Sequence, residues 1–338
     1  MPRPPPIPLV VIGGSAGALD GLMRLVADLP GDFPAAVLVV IHLPPDQPSL
    51  LPELLHSAGP LPARAAVDGE PVQAGQVYVA PPDHHLLVGP DRLQLSRGPR
   101  ENRSRPSIDV LFRSAAYTHG GHVAGVLLSG MQDDGTSGLW AIKQFAGTAI
   151  VQHPEEATYP DMPLSAIRLV EVDDILPVRE MGARLSGWVN TLGAREGGER
   201  MDDAERRRVE LELGIAAEDN AFGAGILNQG PLSPFTCPEC HGVMVQLKEG
   251  AHTRFRCHTG HSFTSSTLMS GVRQMVEDSL WSTVRALEEQ VMLLEHLGKH
   301  LREAGQLDEA DRLERETREA LQRSELLRRV AVRKEPPP

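Results

Sequence analysis

Five short apolar runs, at residues 9–12, 36–41, 123–128, 148–152 and 175–178, are what most constrain the fold of this chain. Each is long enough for a strand and too short for a core helix. Amphipathic stretches at 19–29, 137–145 and 164–170 lie between them. Strands that read as continuous apolar runs are buried on both faces. Their alternation with helices predicts a parallel sheet covered on both sides. Residues 62–97 break this rhythm. Short β-like pieces (Val77-Tyr78-Val79-Ala80, His85-Leu86-Leu87-Val88, Leu93-Gln94-Leu95) are separated by Pro-Pro-Asp and Gly-Pro-Asp turns. They predict an antiparallel insert or an edge on the parallel sheet. The expected class is α/β, doubly wound and mainly parallel, with an antiparallel insert.

In an open parallel sheet, functional groups gather beyond the carboxyl ends of the strands. The first run leads into Gly13-Gly14-Ser15-Ala16-Gly17, a G-x-S-x-G turn of the kind that lifts a serine Oγ above a sheet. The second run ends in His42. The third ends in Ser129-Gly130-Met131-Gln132-Asp133-Asp134-Gly135. A serine, a histidine and an acidic pair thus each follow a strand of one sheet, which is the set that acyl transfer by serine requires. The glycine-rich turn could also cradle a phosphate. However, it lacks the Lys-Ser/Thr of a P-loop and does not fit G-x-G-x-x-G. The chain order Ser, His, Asp differs from the Ser, Asp, His order of α/β-hydrolases.

The 338 residues suffice for about two domains. A formal charge of −12 argues against general nucleic-acid binding, which needs a basic footprint. No apolar run approaches the roughly 18 residues of a membrane span. The N-terminal Met1-Pro2-Arg3-Pro4-Pro5-Pro6 opens no signal-peptide core, so a cytoplasmic location is expected.

All three cysteines fall in one short region. Cys237-x2-Cys240 is followed, after sixteen residues, by Cys257-x3-His261. Clustered, odd-numbered cysteines in such a chain point to a metal rather than to disulfides. Three thiolates and an imidazole close a tetrahedral structural zinc site, with His261 as the chosen fourth ligand and His258 as its rival. The expected divisions are 1–192, a linker at 193–233 with a helix near 203–213, a zinc-ribbon-like module at 234–264 and helices at 265–333. Leu280, Val284, Leu287, Val291 and Leu294 step by 4, 3, 4, 3, with Leu301 a heptad later. After Ala304-Gly305, the series Ala310, Leu313, Thr317, Ala320, Ser324, Leu327 continues the pattern, which predicts an antiparallel helical hairpin. Its charged flanks, Glu288-Glu289 and Arg328-Arg329, are either a docking surface for a helix-bundle partner or ordinary solvated charge.

Six blocks in order carry a resemblance: Ile12–Gly17, Val40-Ile41-His42, Val77–Leu86, Arg105–Phe112, Leu128–Gly135 and Met162-Pro163. Over roughly residues 8–190 the chain resembles the catalytic domain of the CheB family of chemotaxis protein-glutamate methylesterases. The resemblance implies hydrolysis of glutamate γ-methyl esters, with glutamine deamidation as a second activity, and no cofactor for catalysis. It matches Ser15 to the nucleophile, His42 to the general base and acid, and Asp134 to the carboxylate that orients the imidazole. The backbone N–H groups of Ala16 and Met131 match the oxyanion hole, with Ala16 standing where relatives often have Thr. The implied partner is a methylated chemoreceptor or a related chemosensory protein. Chemotaxis members usually carry an N-terminal receiver domain. This chain reaches its first strand at about residue 8, so control of Ser15 is expected from the ribbon and helices downstream or from a separate regulator. The competing readings are a partner-binding protein on an esterase fold and a small-molecule esterase in a non-flagellar pathway. Asp133 is expected to be a solvated neighbour or helix cap, and His85 a rim contact. His84, His119, His122 and His153 are expected at the surface.

Overall fold

The computed structural model describes residues 6–45, 47–192, 201–218 and 220–332. It divides into two compact units, Met1–Leu268 and Met269–Pro338. Residues 193–200, where the expected linker begins, and the terminal residues 333–338 lie outside the described residues.

In the first unit the strands are β1 (Leu9–Gly14), β2 (Ala36–Ile41), β3 (Ala63–Ala65), β4 (Val77–Val79), β5 (His85–Val88), β6 (Leu93–Ser96), β7 (Val123–Leu127), β8 (Thr148–Gln152) and β9 (Asp174–Leu176). Seven of them form one parallel sheet in the order β3-β4-β2-β1-β7-β8-β9. The antiparallel insert is narrower than the sequence suggests. Within residues 62–97, β5 and β6 pair antiparallel, with one further antiparallel bridge between Pro71 and Arg92. The Val77–Val79 stretch, expected within the insert, instead runs parallel beside β2.

Period-2 alternation divides each central strand between two cores. Leu9 and Val11 of β1, with Leu38 and Val40 of β2, face one core. That core is completed by α3 (Ile108–His119), α4 (Thr136–Gln144) and α5 (Asp161–Leu169), which follow α1 (Ala18–Ala27) and α2 (Leu51–Ala58) in the chain. Val10 and Ile12, with Val37 and Val39, face α1, α2 and α6 (Val178–Thr191), where Trp188 is fully buried. Strands are thereby covered on both faces. Burying each Val, Leu or Ile contributes roughly 1.5–3 kcal/mol. From β1 the chain first winds one way through β2, then crosses to β7 on the other flank. The carboxyl ends of β1 and β7 therefore border a topological switch point, the usual location of a ligand crevice.

The stretch expected as a linker holds α7 (Asp203–Ala216). Asp202 caps it by accepting from the Ala204 and Glu205 N–H groups. Val209, Ile215 and Ala216 are buried, so α7 is packed rather than a spacer. Beyond it β10 (Leu232–Thr236), β11 (Val243–Glu249), β12 (His252–Cys257) and β13 (Ser262–Thr264) form an antiparallel ribbon sheet. Val245 and Leu247 of the ribbon pack on Ile215, Ala221 and Ile226.

Charge also joins the ribbon to the α/β layer. Arg254 and Arg256 of β12, Glu249 of β11, Glu212 of α7, Arg113 of α3 and Glu101 are all buried. Glu101 accepts from Arg113, Arg254 and Arg256. Glu212 accepts from Arg254 at 3.2 Å and from Arg256 Nε at 3.0 Å. Glu249 accepts from Arg254 at 2.6 Å and from Ser137 Oγ at 2.6 Å. Three guanidinium groups face three carboxylates, so the cluster is neutral as a whole.

In the second unit lie most of α8 (Ser265–Glu303) and all of α9 (Leu307–Val332). Val284, Val291, Leu294, Ala310, Ala320 and Ser324, all expected seam positions, are buried. The two helices run antiparallel: Arg302 pairs with Asp311 and Glu314 near the turn, and Arg328 pairs with Glu288 far from it. The charges expected as a docking flank thus include one pair, Glu288–Arg328, that closes the hairpin itself.

Candidate active site

Ser15, His42 and the Asp133-Asp134 pair each follow a strand, and the ladder brings those strand ends together. The Ser15 N–H donates to Ser129 O at 2.9 Å, and the His42 N–H donates to Gly14 O at 3.3 Å. Gly17, at φ 72°, turns the chain from β1 into α1 in a conformation that favours glycine.

The side chains form a relay. His42 Nδ1 lies 3.2 Å from Ser15 Oγ, and His42 Nε2 lies 2.8 Å from Asp134 Oδ2. The serine and histidine are half-buried, and the aspartate is buried. In this geometry an imidazole protonated on Nε2 donates to Asp134 and presents the Nδ1 lone pair to Ser15.

Asp134 is held from several sides. Its Oδ2 also accepts from the Ile108 N–H at 2.8 Å. Its Oδ1 accepts from Asn102 Nδ2 and Ser107 Oγ, each at 2.9 Å. Ile108 opens α3, so the carboxylate sits on the positive end of that helix. Burial alone would raise its pKa. The hydrogen bond and charge of His42, with donors from Asn102 and Ile108, reverse this and lower it. Neighbouring Asp109 is driven well above the carboxylate range by burial and by the charge on Asp134.

The Ala16 and Met131 amides lie in the two loops that flank Ser15. The loop at 129–131 is pinned: Gly130 N–H donates to Tyr159 O at 3.0 Å, and Ser129 N–H donates to Gln152 Oε1 at 2.8 Å. A Cβ on Gly130 would stand 1.9 Å from Met162 Sδ and 3.0 Å from Ser15 Cβ, so only glycine lets this loop approach the serine. Beside His42 opens a cleft of about 120 Å³, lined by Leu43, Arg100, Arg103, Ser104 and Arg105 among others.

Three side-chain expectations are corrected. Asp133 is not solvated; it is buried and accepts from Thr264 Oγ1 at 2.7 Å. His85 is no rim contact. It is fully buried, with Nε2 at 3.0 Å from Pro99 O and Nδ1 accepting from the Ser107 N–H. His119 is buried against the Thr118 hydroxyl rather than exposed. Asp133 and His85 find their partners far along the chain, at Thr264 and at Pro99 and Ser107, whereas His119 is met by its neighbour Thr118.

Residues that sequence reasoning gave no role are Asn102, Ser107 and Asp109. Asp109 accepts from the Gly135 and Gly138 N–H groups at 3.0 and 2.7 Å and so fixes the turn that carries Asp134. The usable signal was Pro106-Ser107-Ile108-Asp109, a helix-start pattern.

The described residues also form a Cys3His cluster: Cys237, Cys240, Cys257 and His261 have donor atoms all within 4.8 Å of one another. Cys240 Sγ to Cys257 Sγ is 3.7 Å. His261 Nδ1 lies 3.7 Å from Cys237 Sγ and 3.6 Å from Cys257 Sγ. Zn–S bonds of about 2.3 Å in a tetrahedron put sulfurs about 3.8 Å apart, so the donor set fits zinc. Thr259 Oγ1 lies 3.0 Å from Cys257 Sγ and 3.1 Å from Cys240 Sγ, where a hydroxyl supports thiolates. The fourth position is taken by His261, whereas His258 stays outside the cluster.

A serine–histidine–aspartate relay at the carboxyl edge of a doubly wound parallel sheet is the arrangement that serine hydrolases use. A family model described as CheB methylesterase matches residues 10–185, and the chain belongs to that family. It is 34% identical over 191 residues to protein-glutamate methylesterase/protein-glutamine glutaminase 1 of Geobacter metallireducens, covering 55% of this chain and 52% of the relative. It is 37% identical over 191 residues to the corresponding protein 3 of Burkholderia lata, with the same coverage. The chain thus spans about half the length of these relatives. The crystal structure of the Thermotoga maritima CheB methylesterase catalytic domain matches with a TM-score of 0.52 at 34% identity, over 53% of this chain and 97% of that one. Among the described residues, no helix is long and apolar enough to cross a membrane.

Proposed function

We propose that this chain is a serine esterase that hydrolyses glutamate γ-methyl esters on a methylated chemoreceptor or a related chemosensory protein, with glutamine deamidation as a second activity of the same site. The observation that carries the reading is the unbroken relay Ser15–His42–Asp134, with contacts of 3.2 and 2.8 Å. His42 Nδ1 takes the Ser15 proton as Oγ attacks the ester carbonyl. Asp134 stabilises the imidazolium through Nε2–H. The Ala16 and Met131 N–H groups receive the oxyanion, and losing one such donor typically costs about 3 kcal/mol. The imidazolium then protonates the departing methoxide, methanol leaves, and water activated by His42 hydrolyses the acyl-enzyme. An amide substrate follows the same course, with ammonia leaving.

The Cys3His cluster is proposed to hold a structural zinc ion, with no part in the acyl chemistry. Its three unpaired thiols also support a cytoplasmic location. The reading of the chain as a non-catalytic scaffold is disfavoured by the aligned relay. The test is methanol release from methylated receptor fragments by the full chain, with Ser15→Ala as control. Release by the native protein and loss in the variant support the proposal. Equal release by both, or hydrolysis of generic small esters alone, refutes it.

A further inference from the structure

Asn102 stands between the relay and the ribbon with every hydrogen-bonding position of its amide engaged. Its Nδ2 donates to Asp134 Oδ1 at 2.9 Å and to Asp109 Oδ2 at 2.8 Å. Its Oδ1 accepts from the Thr264 N–H and from Thr267 Oγ1, each at 3.1 Å. Its own backbone N–H donates to Ser262 O at 2.8 Å. The residue is buried and has φ 51°, a left-handed conformation that asparagine tolerates better than most. The amide has one tolerable orientation. Reversed, its oxygen would face two carboxylates while its NH2 faced two donors. The donors that fix this orientation lie just beyond the metal cluster, since Ser262 follows His261 and Thr264 ends the same strand. Thr264 also holds Asp133, the residue next to Asp134.

We infer that Asn102 is a positioning residue for the Ser15–His42–Asp134 relay, held in register by Thr264 and Thr267, so that metal occupancy at the Cys3His cluster sets the reactivity of Ser15. This rests on the esterase and zinc readings above. The ribbon then serves as a support wall of the active site, and its folding couples to the chemistry through one amide. The titratable groups around Asp134 are His42 beyond β2, Asp109 on α3, adjacent Asp133, and His85 on β5. Asn102 separates two of these carboxylates. Asn102 is one of the donors that lower the Asp134 pKa, so without it that carboxylate protonates more readily and the acid limb of Ser15 reactivity moves to higher pH.

The test is the rate of Ser15 labelling by a fluorophosphonate across pH, on the full chain with its zinc content measured. Asn102→Ala is expected to slow labelling at least about tenfold and to raise the acid limb by roughly half a pH unit. Thr267→Val is expected to move the limb the same way by less, and Thr267→Ser to restore the native profile. Removing zinc with a chelator should reproduce the shift, and adding zinc should reverse it. A purely structural role would lower stability and leave the limb in place. Native pH profiles in Asn102→Ala and Thr267→Val, or in the stripped protein, overturn the inference. If Asn102→Ala does not fold, the Thr267→Val and Thr267→Ser pair decides. Absence of Ser15 labelling in the native chain overturns the esterase reading, and the inference with it. A chain that binds no zinc overturns only the metal link, leaving the Asn102 arm to decide the rest.

Discussion

Glu212 offers a quantitative test of the charge cluster beneath the ribbon. Its carboxylate is 1% exposed and meets Arg254, Arg256 and Arg113. Burial alone would raise its pKa, but the three guanidinium charges reverse that and hold it at about 2 against an ordinary 4.5. At 1.36 kcal/mol for each tenfold change in proton affinity, this difference amounts to about 3 kcal/mol of stability at neutral pH. The figure agrees with the roughly 3–5 kcal/mol lost when one partner of a buried ion pair is removed. Glu212→Gln leaves three buried cations facing two anions and should therefore cost about 3 kcal/mol at pH 7. The sign of the pH dependence follows from the depressed pKa. The contribution is complete above the unfolded value near 4.5 and disappears as pH falls toward 2. Urea unfolding of native and variant chains, followed by the fluorescence of Trp140 and Trp188, should show a gap at pH 7 that narrows steadily below pH 4.5. A gap below about 1 kcal/mol at pH 7, or one that stays constant down to pH 3, would refute the reasoning.

Three further outcomes are expected. Asp134→Asn should lower ester turnover by about 10⁴-fold while leaving the fold intact, because an amide NH2 facing His42 Nε2 favours the wrong tautomer; steady-state kinetics with circular dichroism checks this. Gly130→Ala should cut turnover by about 10²-fold, because its Cβ would displace the loop beside Ser15, with an unchanged KM as the accompanying sign. Cys257→Ser should abolish stoichiometric zinc binding and lower the unfolding temperature by several degrees, read by metal analysis and calorimetry.

The central sheet was legible because its strands are apolar on both faces, and the relay was legible because its members stand directly after those strands. The rule that strand ends converge brings out Ser15, His42 and the Asp133-Asp134 pair, while the choice of Asp134 within the pair comes from the family resemblance. The narrow spacing of Cys237, Cys240 and Cys257 made the ribbon equally visible. What escaped was set by polar groups whose partners lie far away in the chain. Arg254 and Arg256 alternate with Phe255 and look like the wet face of a strand. They are buried because Glu101 and Glu212, 153 and 42 residues distant from Arg254, neutralise them. Asn102 and Thr264 were silent for the same reason, 162 residues apart yet in contact. Residues 193–233 read as a linker because they lose the apolar pattern and turn polar and charged, and the cations that bury Glu212 of that stretch lie elsewhere in the chain.

The family segment, residues 10–185, shares buried polar contacts with the chain beyond it. Glu101, Asn102 and Arg113 lie inside it, whereas Glu212, Arg254, Arg256 and Thr264 lie outside. A recombinant that takes this segment from a relative without these three residues would present two arginines and a glutamate to a mismatched floor. In this chain, substitutions at 101, 102 and 113 are therefore expected to be tolerated only alongside compensating changes beyond residue 211.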